Sequence, residues 1–224
     1  DHTFASYTRG FGLGPFYQGN KPFGLMIYDT ANSGYITAYW KDNGGLGRKL
    51  ISSVSFAKGQ WNHACISRTG SHIALFYNGL RIAHNGSYTS NYQILTGDTY
   101  AFLGHTGNGT EGFVGYITDA RFINGSHPND ASEEILTVPT ERLTAVTNTK
   151  FLMGGIPYLH DQSSSNHSLT LSGTVNKEPF TPYDYNLYNA TNHGGSALFD
   201  GTGDYLSATS STCLLYTSPS PRDP

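Results

Sequence analysis

The sequence predicts an all-β protein built as an antiparallel sandwich. Short runs in which apolar and polar residues alternate recur along the chain, glycine and asparagine stand between them, and helical periodicity is sparse. The 224 residues include 27 Gly and 16 Tyr, and only 13% of them are charged. Alternation with a period of two is typical of half-buried strands, and glycine supplies the positive φ that tight turns need. We therefore expect two stacked sheets around one interior.

Candidate strands are spaced closely over the first half of the chain, at residues 23–28, 35–41, 49–56, 61–68, 71–77, 80–84, 99–104 and 112–123. Asn78 and Gly79 stand between two of these runs, and both residues tolerate the positive φ of a type I′ turn, so they predict a hairpin. One helical turn is expected over residues 130–136, with Asp130 or Ser132 as its cap. After residue 150 further strands alternate with polar and glycine-rich loops.

Two blocks resemble the laminin-G-like (concanavalin A-like) jelly-roll family. The first is GQWNHACISR at 59–68 with IALFYNG at 73–79, and the second is GYITDARF at 115–122. Family members carry a Trp-x-His-hydrophobic strand, a hairpin ending in Tyr-x-Asn-Gly or a similar string, and a closing Gly-x-Ile-x-Asp-x-Arg strand. Phe76 stands where the tyrosine of that hairpin is expected. The resemblance implies an antiparallel jelly-roll sandwich.

Residues 149–212 resemble the opening segment of a second domain of the same family, through DQSSSN at 161–166 and GGSALFDGTGDYL at 194–206. The expected organisation is a laminin-G-like domain at residues 1–148 that lacks its opening strands, followed by this segment. Residues 213–224 match a translated sequencing adapter and are left out of the fold prediction. The tandem layout resembles repeats in structural proteins of marine tailed phages.

A jelly roll without its first strands leaves unpaired sheet edges and an open core. Residues 149–208 are the kind of segment that fills such a gap. We therefore expect them to fold back onto the first domain and to complete its sandwich in a circularly permuted order. This hypothesis requires Phe199 and Leu206 to be buried against Trp61, Leu75 or Phe122.

Asp161 and Asp119 are the candidate metal ligands, because some relatives bind calcium at comparable positions. Asp161 opens a loop that offers carboxylate, hydroxyl, amide and backbone oxygens, which suit a hard cation. The alternative is a turn whose polar side chains bond to their own backbone. The same two interpretations apply to Asp200 and Asp204. Calcium is the one cofactor that the sequence suggests.

Aromatic side chains are the candidate ligand contacts. Trp61 and His63 lie two residues apart and share one strand face, where core packing is expected and a ligand-facing pair is the alternative. Exposed tyrosine rings suit wet polar ligands such as sugars, with packing against the sandwich as the alternative. The tyrosines considered are Tyr17, Tyr88, Tyr92, Tyr183, Tyr185 and Tyr188.

Several function classes find no support. A net charge of −3 without a Lys/Arg stripe predicts no nucleic-acid partner, and the apolar runs are too short to span a membrane. Laminarinase-type relatives on this fold need carboxylates in a Glu-x-Asp-x-x-Glu strand, which the sequence lacks. No nucleophile elbow, metalloprotease motif or phosphate loop is present either. The chain is therefore predicted not to be an enzyme.

The expected function is a non-catalytic binding or structural module that recognises a carbohydrate or a cell-surface protein, as part of a virion fibre or an extracellular adhesin. The alternatives are an architectural spacer repeat without a ligand and an accessory domain of a secreted carbohydrate-active enzyme. The expected location is the virion or the extracellular space. A homo-oligomer within a larger assembly is also open, since fold alone does not decide among these.

Overall fold

A computed structural model describes residues 7–13, 23–28, 34–42, 47–90, 100–104, 112–153, 159–178, 180–183 and 196–209. All regular elements in these ranges are strands. They are β1 (Tyr7–Leu13), β2 (Phe23–Tyr28), β3 (Tyr35–Lys41), β4 (Gly47–Ser55), β5 (Ala64–Thr69), β6 (His72–Tyr77), β7 (Leu80–Asn85), β8 (Tyr100–Leu103), β9 (Val114–Ile117), β10 (Ala120–Ile123), β11 (Thr149–Met153), β12 (Leu169–Ser172), β13 (Asn176–Glu178), β14 (Ser196–Asp200) and β15 (Tyr205–Thr209). No helix in the described ranges is long and apolar enough to cross a membrane.

One layer of the fold is a seven-stranded antiparallel sheet with the order β12-β15-β8-β1-β2-β3-β4. Strands β1 to β4 follow one another in space as they do in sequence. Strand β15 lies between β12 and β8, so strands from the end of the described chain extend the sheet that its beginning forms.

Three smaller antiparallel sheets face this layer, with the orders β5-β6-β7, β10-β11 and β13-β14-β9. Every second side chain of the β5-β6-β7 sheet packs against the large sheet. Three buried residues of β3 (Ile36, Ala38 and Trp40) pack in one cluster with three buried residues of β6 (Ile73, Leu75 and Tyr77). Because residues two apart on a strand point to the same side, each strand contributes one whole face to this interior.

A second cluster fills the other half of the sandwich. Leu103 of β8 and Leu206 of β15 pack there with Phe151 and Met153 of β11 and with Phe199 of β14. Phe199 is fully buried and Leu206 is 2% exposed. A Cβ built on Gly104 would lie 2.3 Å from the Phe199 ring, and Gly104 has φ +84°, so both space and backbone conformation require glycine there.

Strands of residues 149–209 pair with earlier strands at three places. Strand β11 pairs with β10, β14 with β9, and β15 with β8 from Leu206↔Leu103 to Thr209↔Tyr100. Phe122 also packs against the cluster that holds Phe199 and Leu206, which is the contact that the fold-back hypothesis requires. The assignment of residues 149–212 to a second domain and of residues 213–224 to an adapter stays a prediction.

The hairpin predicted at Asn78 and Gly79 is present, with φ values of +47° and +86° between β6 and β7. The helical turn predicted over residues 130–136 is wrong. Asp130 instead accepts two hydrogen bonds from Ser132 in a local turn. The following backbone groups bond to the hairpin, since Leu136 N–H donates to the Gly79 carbonyl. Contacts with the hairpin therefore replace the bonds of a helical turn.

Phe199→Ala tests the fold-back core. The substitution is expected to lower the free energy of unfolding by about 3–5 kcal/mol, because it leaves a cavity between the two layers. Leu171→Ala on β12 is the control, since Leu171 is 49% exposed and its truncation should cost less than about 0.5 kcal/mol. Urea unfolding followed by circular dichroism measures both. Equal and small effects of the two substitutions would contradict the packing.

Candidate ligand-binding surface

Three aromatic rings meet on the outside of the sandwich and form what we call the aromatic surface (Trp61, Tyr116 and Phe180). The Trp61 and Phe180 rings stack with centroids 5.1 Å apart and planes at 28°. The Tyr116 ring lies 4.8 Å from Phe180 at 58° and 6.4 Å from Trp61 at 54°. Tyr116 and Phe180 are each 39% exposed, and Trp61 is half-buried. An aromatic cluster this open departs from ordinary core packing.

Each ring reaches this surface from a different part of the chain. Trp61 precedes β5 and Phe180 follows β13. Tyr116 lies on β9, where it alternates with inward Ile117, so its ring points away from the interior. Strand β14 pairs with both β9 and β13, so one small sheet positions Tyr116 and the segment that carries Phe180. Residues after 149, which pair with the earlier strands, therefore supply one of the three rings of the aromatic surface.

Two polar atoms beside β5 are buried without a hydrogen-bond partner among the described residues: Trp61 Nε1 and His63 Nδ1. A buried polar group left unpaired costs roughly 1–3 kcal/mol. Burial, followed by the nearby Arg121 charge, lowers the pKa of His63 below its ordinary value of 6.5. His63 is therefore neutral at neutral pH and can donate or accept a hydrogen bond.

A polar cluster lies on the same two segments of chain. Asp119 is three residues beyond Tyr116 and has φ +51°, and Tyr183 is three residues beyond Phe180. The Tyr183 hydroxyl donates to the Asp119 carboxylate, which also accepts hydrogen bonds from Leu143 N–H (2.9 Å) and the Thr118 hydroxyl (3.2 Å). Burial raises the pKa of Asp119 above its usual range, and burial with the adjacent carboxylate raises the pKa of Tyr183.

Asp161 uses both of its carboxylate oxygens inside the protein. Oδ1 accepts hydrogen bonds from Leu152 N–H and Ser163 N–H, and Oδ2 accepts from the Ser163 hydroxyl and His167 N–H, all at 2.9 Å. The side chain is 1% exposed. Asp161 thus ties its loop to β11, and a cation on these oxygens would have to displace donors.

Asp204 resembles Asp161 in this respect, because it is fully buried and its oxygens accept hydrogen bonds from Thr174 N–H and Asp200 N–H. Across the ranges that the structure describes, no group of three or more His, Cys, Asp or Glu side chains is arranged to hold a metal ion. Calcium at Asp161 and Asp119 stays a prediction, since calcium also takes backbone and hydroxyl oxygens.

The family follows from a match over the first part of the chain. A family model described as the concanavalin A-like lectin/glucanases superfamily matches residues 6–129, which is more than half of the sequence. The chain belongs to this superfamily. The laminin-G-like resemblance and the all-β jelly-roll fold are confirmed. No curated protein and no solved structure matches the chain.

Superfamily membership covers lectins and glucanases, so it fits a carbohydrate-binding or structural module. The matched range includes Trp61 and Tyr116 but not Phe180. Sequence analysis selected Trp61 and missed the other two rings, because nothing local marks Phe180 as a neighbour of Trp61. The alternation of outward and inward residues along β9 could have indicated that the Tyr116 ring points to the surface.

Two of the tyrosines predicted as candidate sugar contacts, Tyr88 and Tyr183, contact other side chains of the protein. Tyr88 is buried, with its ring edge-on to Trp40 at 5.4 Å and Arg68 5.0 Å from its centroid. Tyr183 is half-buried against Asp119. The predictions for Tyr17, Tyr92, Tyr185 and Tyr188 lie outside the described residues.

Burial raises the pKa of Cys65 to about 11, so its thiol stays protonated at neutral pH.

The lowered pKa of His63 predicts a pH-dependent stability. The unfolded chain binds a proton on this ring near pH 6.5, whereas the folded chain binds it only at lower pH. The unfolded state therefore holds more protons between these values, and the free energy of unfolding falls as pH falls through this window. His63→Gln is expected to flatten the profile below pH 6.5. Parallel profiles for the variant and the wild type, measured by urea unfolding, would contradict the burial of this ring.

Proposed function

We propose that the chain is a non-catalytic glycan-binding module whose sugar-binding platform is the aromatic surface. One observation carries the proposal: rings from three separate segments converge on the outside of the sandwich, where two of them stay 39% exposed. Membership in a superfamily that includes lectins supports the ligand class.

The chemistry of a sugar ring suits this arrangement. Its C–H face is apolar and packs on an aromatic plane, while its hydroxyls need donors and acceptors at the rim. The Phe180 ring, which is 39% exposed and stacks on Trp61, offers the plane, and the tilted Tyr116 ring offers a wall with a hydroxyl at its end.

The nearby polar cluster supports the same ligand class. Asp119, Arg142 and Tyr183 interact with one another on segments adjoining the aromatic surface, and Arg142 and Asp119 carry opposite charges. The Arg142 guanidinium carries N–H donors that suit saccharide hydroxyls, whereas the Asp119 carboxylate already accepts hydrogen bonds inside the protein. Calcium at Asp119 or Asp161 is retained as a proposal, and binding measured with calcium and with a chelator tests it.

The non-catalytic part of the proposal is supported by the use of the buried carboxylates. Glycosidases need an acid and a second carboxylate on either side of one glycosidic bond. Asp161 and Asp204 instead accept hydrogen bonds from backbone N–H groups. We expect no release of reducing ends from β-glucans during prolonged incubation, and product formation above the buffer blank would contradict a purely binding role.

Phe180→Ser tests the platform itself. A glycan array with the purified chain identifies the saccharide, and titration calorimetry then measures its affinity. Removal of the Phe180 ring is expected to weaken binding about tenfold or more, because a buried aromatic contact contributes roughly 1.5 kcal/mol or above. Ile135→Ser is the matched control, since Ile135 is 73% exposed and is not one of the three rings, so its replacement should leave affinity unchanged.

The outcomes of that experiment separate the alternatives. An array without a bound glycan, with calcium present and absent, favours the architectural spacer. Equal affinity in both variants places the saccharide elsewhere on the molecule.

We propose a virion fibre or an extracellular adhesin as the setting, supported by the resemblance of the tandem layout to repeats in phage structural proteins. Recovery of the flanking reading frame tests it. Neighbouring tail or fibre genes support the virion setting, and a fused catalytic domain supports an accessory domain of an enzyme.

A further inference from the structure

Two histidines of the β6–β7 hairpin share a hydrogen bond at the surface. His72 Nδ1 and His84 Nε2 are 2.9 Å apart, and the rings stack with centroids at 5.1 Å and planes at 19°. We propose that this histidine pair (His72 and His84) is a pH-dependent switch for the turn that follows β7. The turn stays closed while the neutral pair has taken up at most one proton, and a second added proton opens it. The pair shares no residue with the aromatic surface, so the switch does not depend on the proposed function.

The bond between the rings limits the number of protons that the pair can carry. A neutral imidazole offers one N–H donor and one unprotonated nitrogen as acceptor, whereas an imidazolium offers two donors and no acceptor. One added proton keeps the bond in a charge-assisted form. Two added protons remove the acceptor and place two positive charges on rings whose facing nitrogens are 2.9 Å apart. The second proton therefore drives the rings apart.

A register shift in the hairpin creates the pair. The strands begin in register at Tyr77↔Leu80 and Phe76↔Arg81, but Leu75 then lies opposite Ala83, and Ala74 opposite His84. Without this one-residue shift His84 would face Ile73 and lie on the opposite side of the sheet from His72. Because residues two apart share a face, the shift places His84 beside His72.

Gly86 connects the pair to the turn. A Cβ built at this position would lie 3.2 Å from Cε1 of His84 and 3.4 Å from Cε1 of His72, so both rings lie against the Gly86 backbone. The Gly86 carbonyl accepts a hydrogen bond from the Ser71 hydroxyl at 3.1 Å, and Tyr88 N–H donates to the Ser71 carbonyl at 2.8 Å. Ser71 precedes His72 in the chain. Separation of the rings therefore displaces Gly86 from Ser71 and breaks both of these bonds.

The closed turn holds a core residue in place. Tyr88 is 6% exposed and packs in the cluster that β3 and β6 form, with its ring edge-on to Trp40 at 5.4 Å. Its backbone bond to Ser71 fixes where its ring enters this cluster. Opening of the turn therefore uncovers one end of the cluster while the strands stay paired, because a short segment opens at a lower free energy than the whole sheet.

Two charged groups among the described residues act on the pair. Arg81 lies on β7, and its guanidinium donates to the Ser132 carbonyl at 2.7 Å and to Glu134 at 3.3 Å. Asp130 lies on the connector between β10 and β11 and interacts with His72 through its negative charge. Asp130 offsets the charge of one added proton, whereas Arg81 adds to the repulsion that a second one creates.

The pH dependence has a definite sign. Desolvation, followed by the charges of Arg81 and His72, lowers the pKa of His84 below its ordinary value of 6.5. In the open turn the His84 ring is separated from His72 and binds a proton nearer to pH 6.5. The open form therefore holds more protons than the closed form below this pH, and a falling pH favours opening. At neutral pH the turn is closed.

Hydrogen exchange of the intact chain, followed residue by residue by NMR, tests the switch. After correction for the intrinsic exchange rate, the Tyr88 amide is expected to lose roughly fivefold or more of its protection between about pH 7 and about pH 5. The amides of β6 report global unfolding and should lose less protection over the same range. In the 15N-labelled chain, a scalar coupling between the facing nitrogens of the pair should be present near pH 7 and lost as Tyr88 becomes unprotected.

Two variants complete the experiment, and circular dichroism at neutral pH confirms that each one folds. His84→Gln cannot take up the second proton, so the protection of Tyr88 should change with pH no more than that of β6. His63→Gln is the matched control, because it removes the other histidine whose burial makes stability depend on pH and should keep the loss at Tyr88. An equal loss at Tyr88 in His84→Gln and the wild type, or a wild-type loss at Tyr88 no larger than that of β6, would overturn the switch.

Discussion

The packing of Phe199 and Leu206 between the two layers holds the beginning and the end of the described chain in one fold. Leu206 comes from the strand that pairs with β8, and Phe199 comes from the strand that pairs with β9. Both residues are almost fully buried, and the absence of a side chain at Gly104 lets the Phe199 ring approach the backbone. A β-sandwich without these contacts would expose a half-formed core and two unpaired edges.

The candidate binding surface depends on the same contacts. Strand β14 carries the buried Phe199 and pairs with β9, the strand of Tyr116. It also pairs with β13, and Phe180, which follows β13, contacts Trp61. Core and surface are thus two faces of one small sheet, and an interruption of the fold-back would separate the three rings. Asp161 adds a second anchor, because four hydrogen bonds to its carboxylate fix the loop after β11.

Sequence reasoning succeeded where the signal is local and failed where distant contacts decide. Asn78 and Gly79 specify their hairpin by their own φ preferences, and the blocks around Trp61 and Tyr116 were sufficient to indicate the superfamily. An aspartate such as Asp130 is equally typical of a helix cap and of a local turn. Hydrogen bonds between the following backbone and the β6–β7 hairpin decide in favour of the turn. The contact of Phe180 with Trp61 is long-range. The one-residue shift between β6 and β7 that places His84 beside His72 is likewise not indicated by the hydrophobic pattern.

Hydrogen exchange of the intact chain tests the fold-back most directly, because it reads the backbone bonds of β14 and β15 without any substitution. The account predicts that amides of residues 196–200 and 205–209 exchange as slowly as those of β6, at a rate independent of protein concentration, since all of these strands unfold together within one chain. Exchange of these segments at the rate of an unfolded peptide, while β6 stays protected, would contradict it.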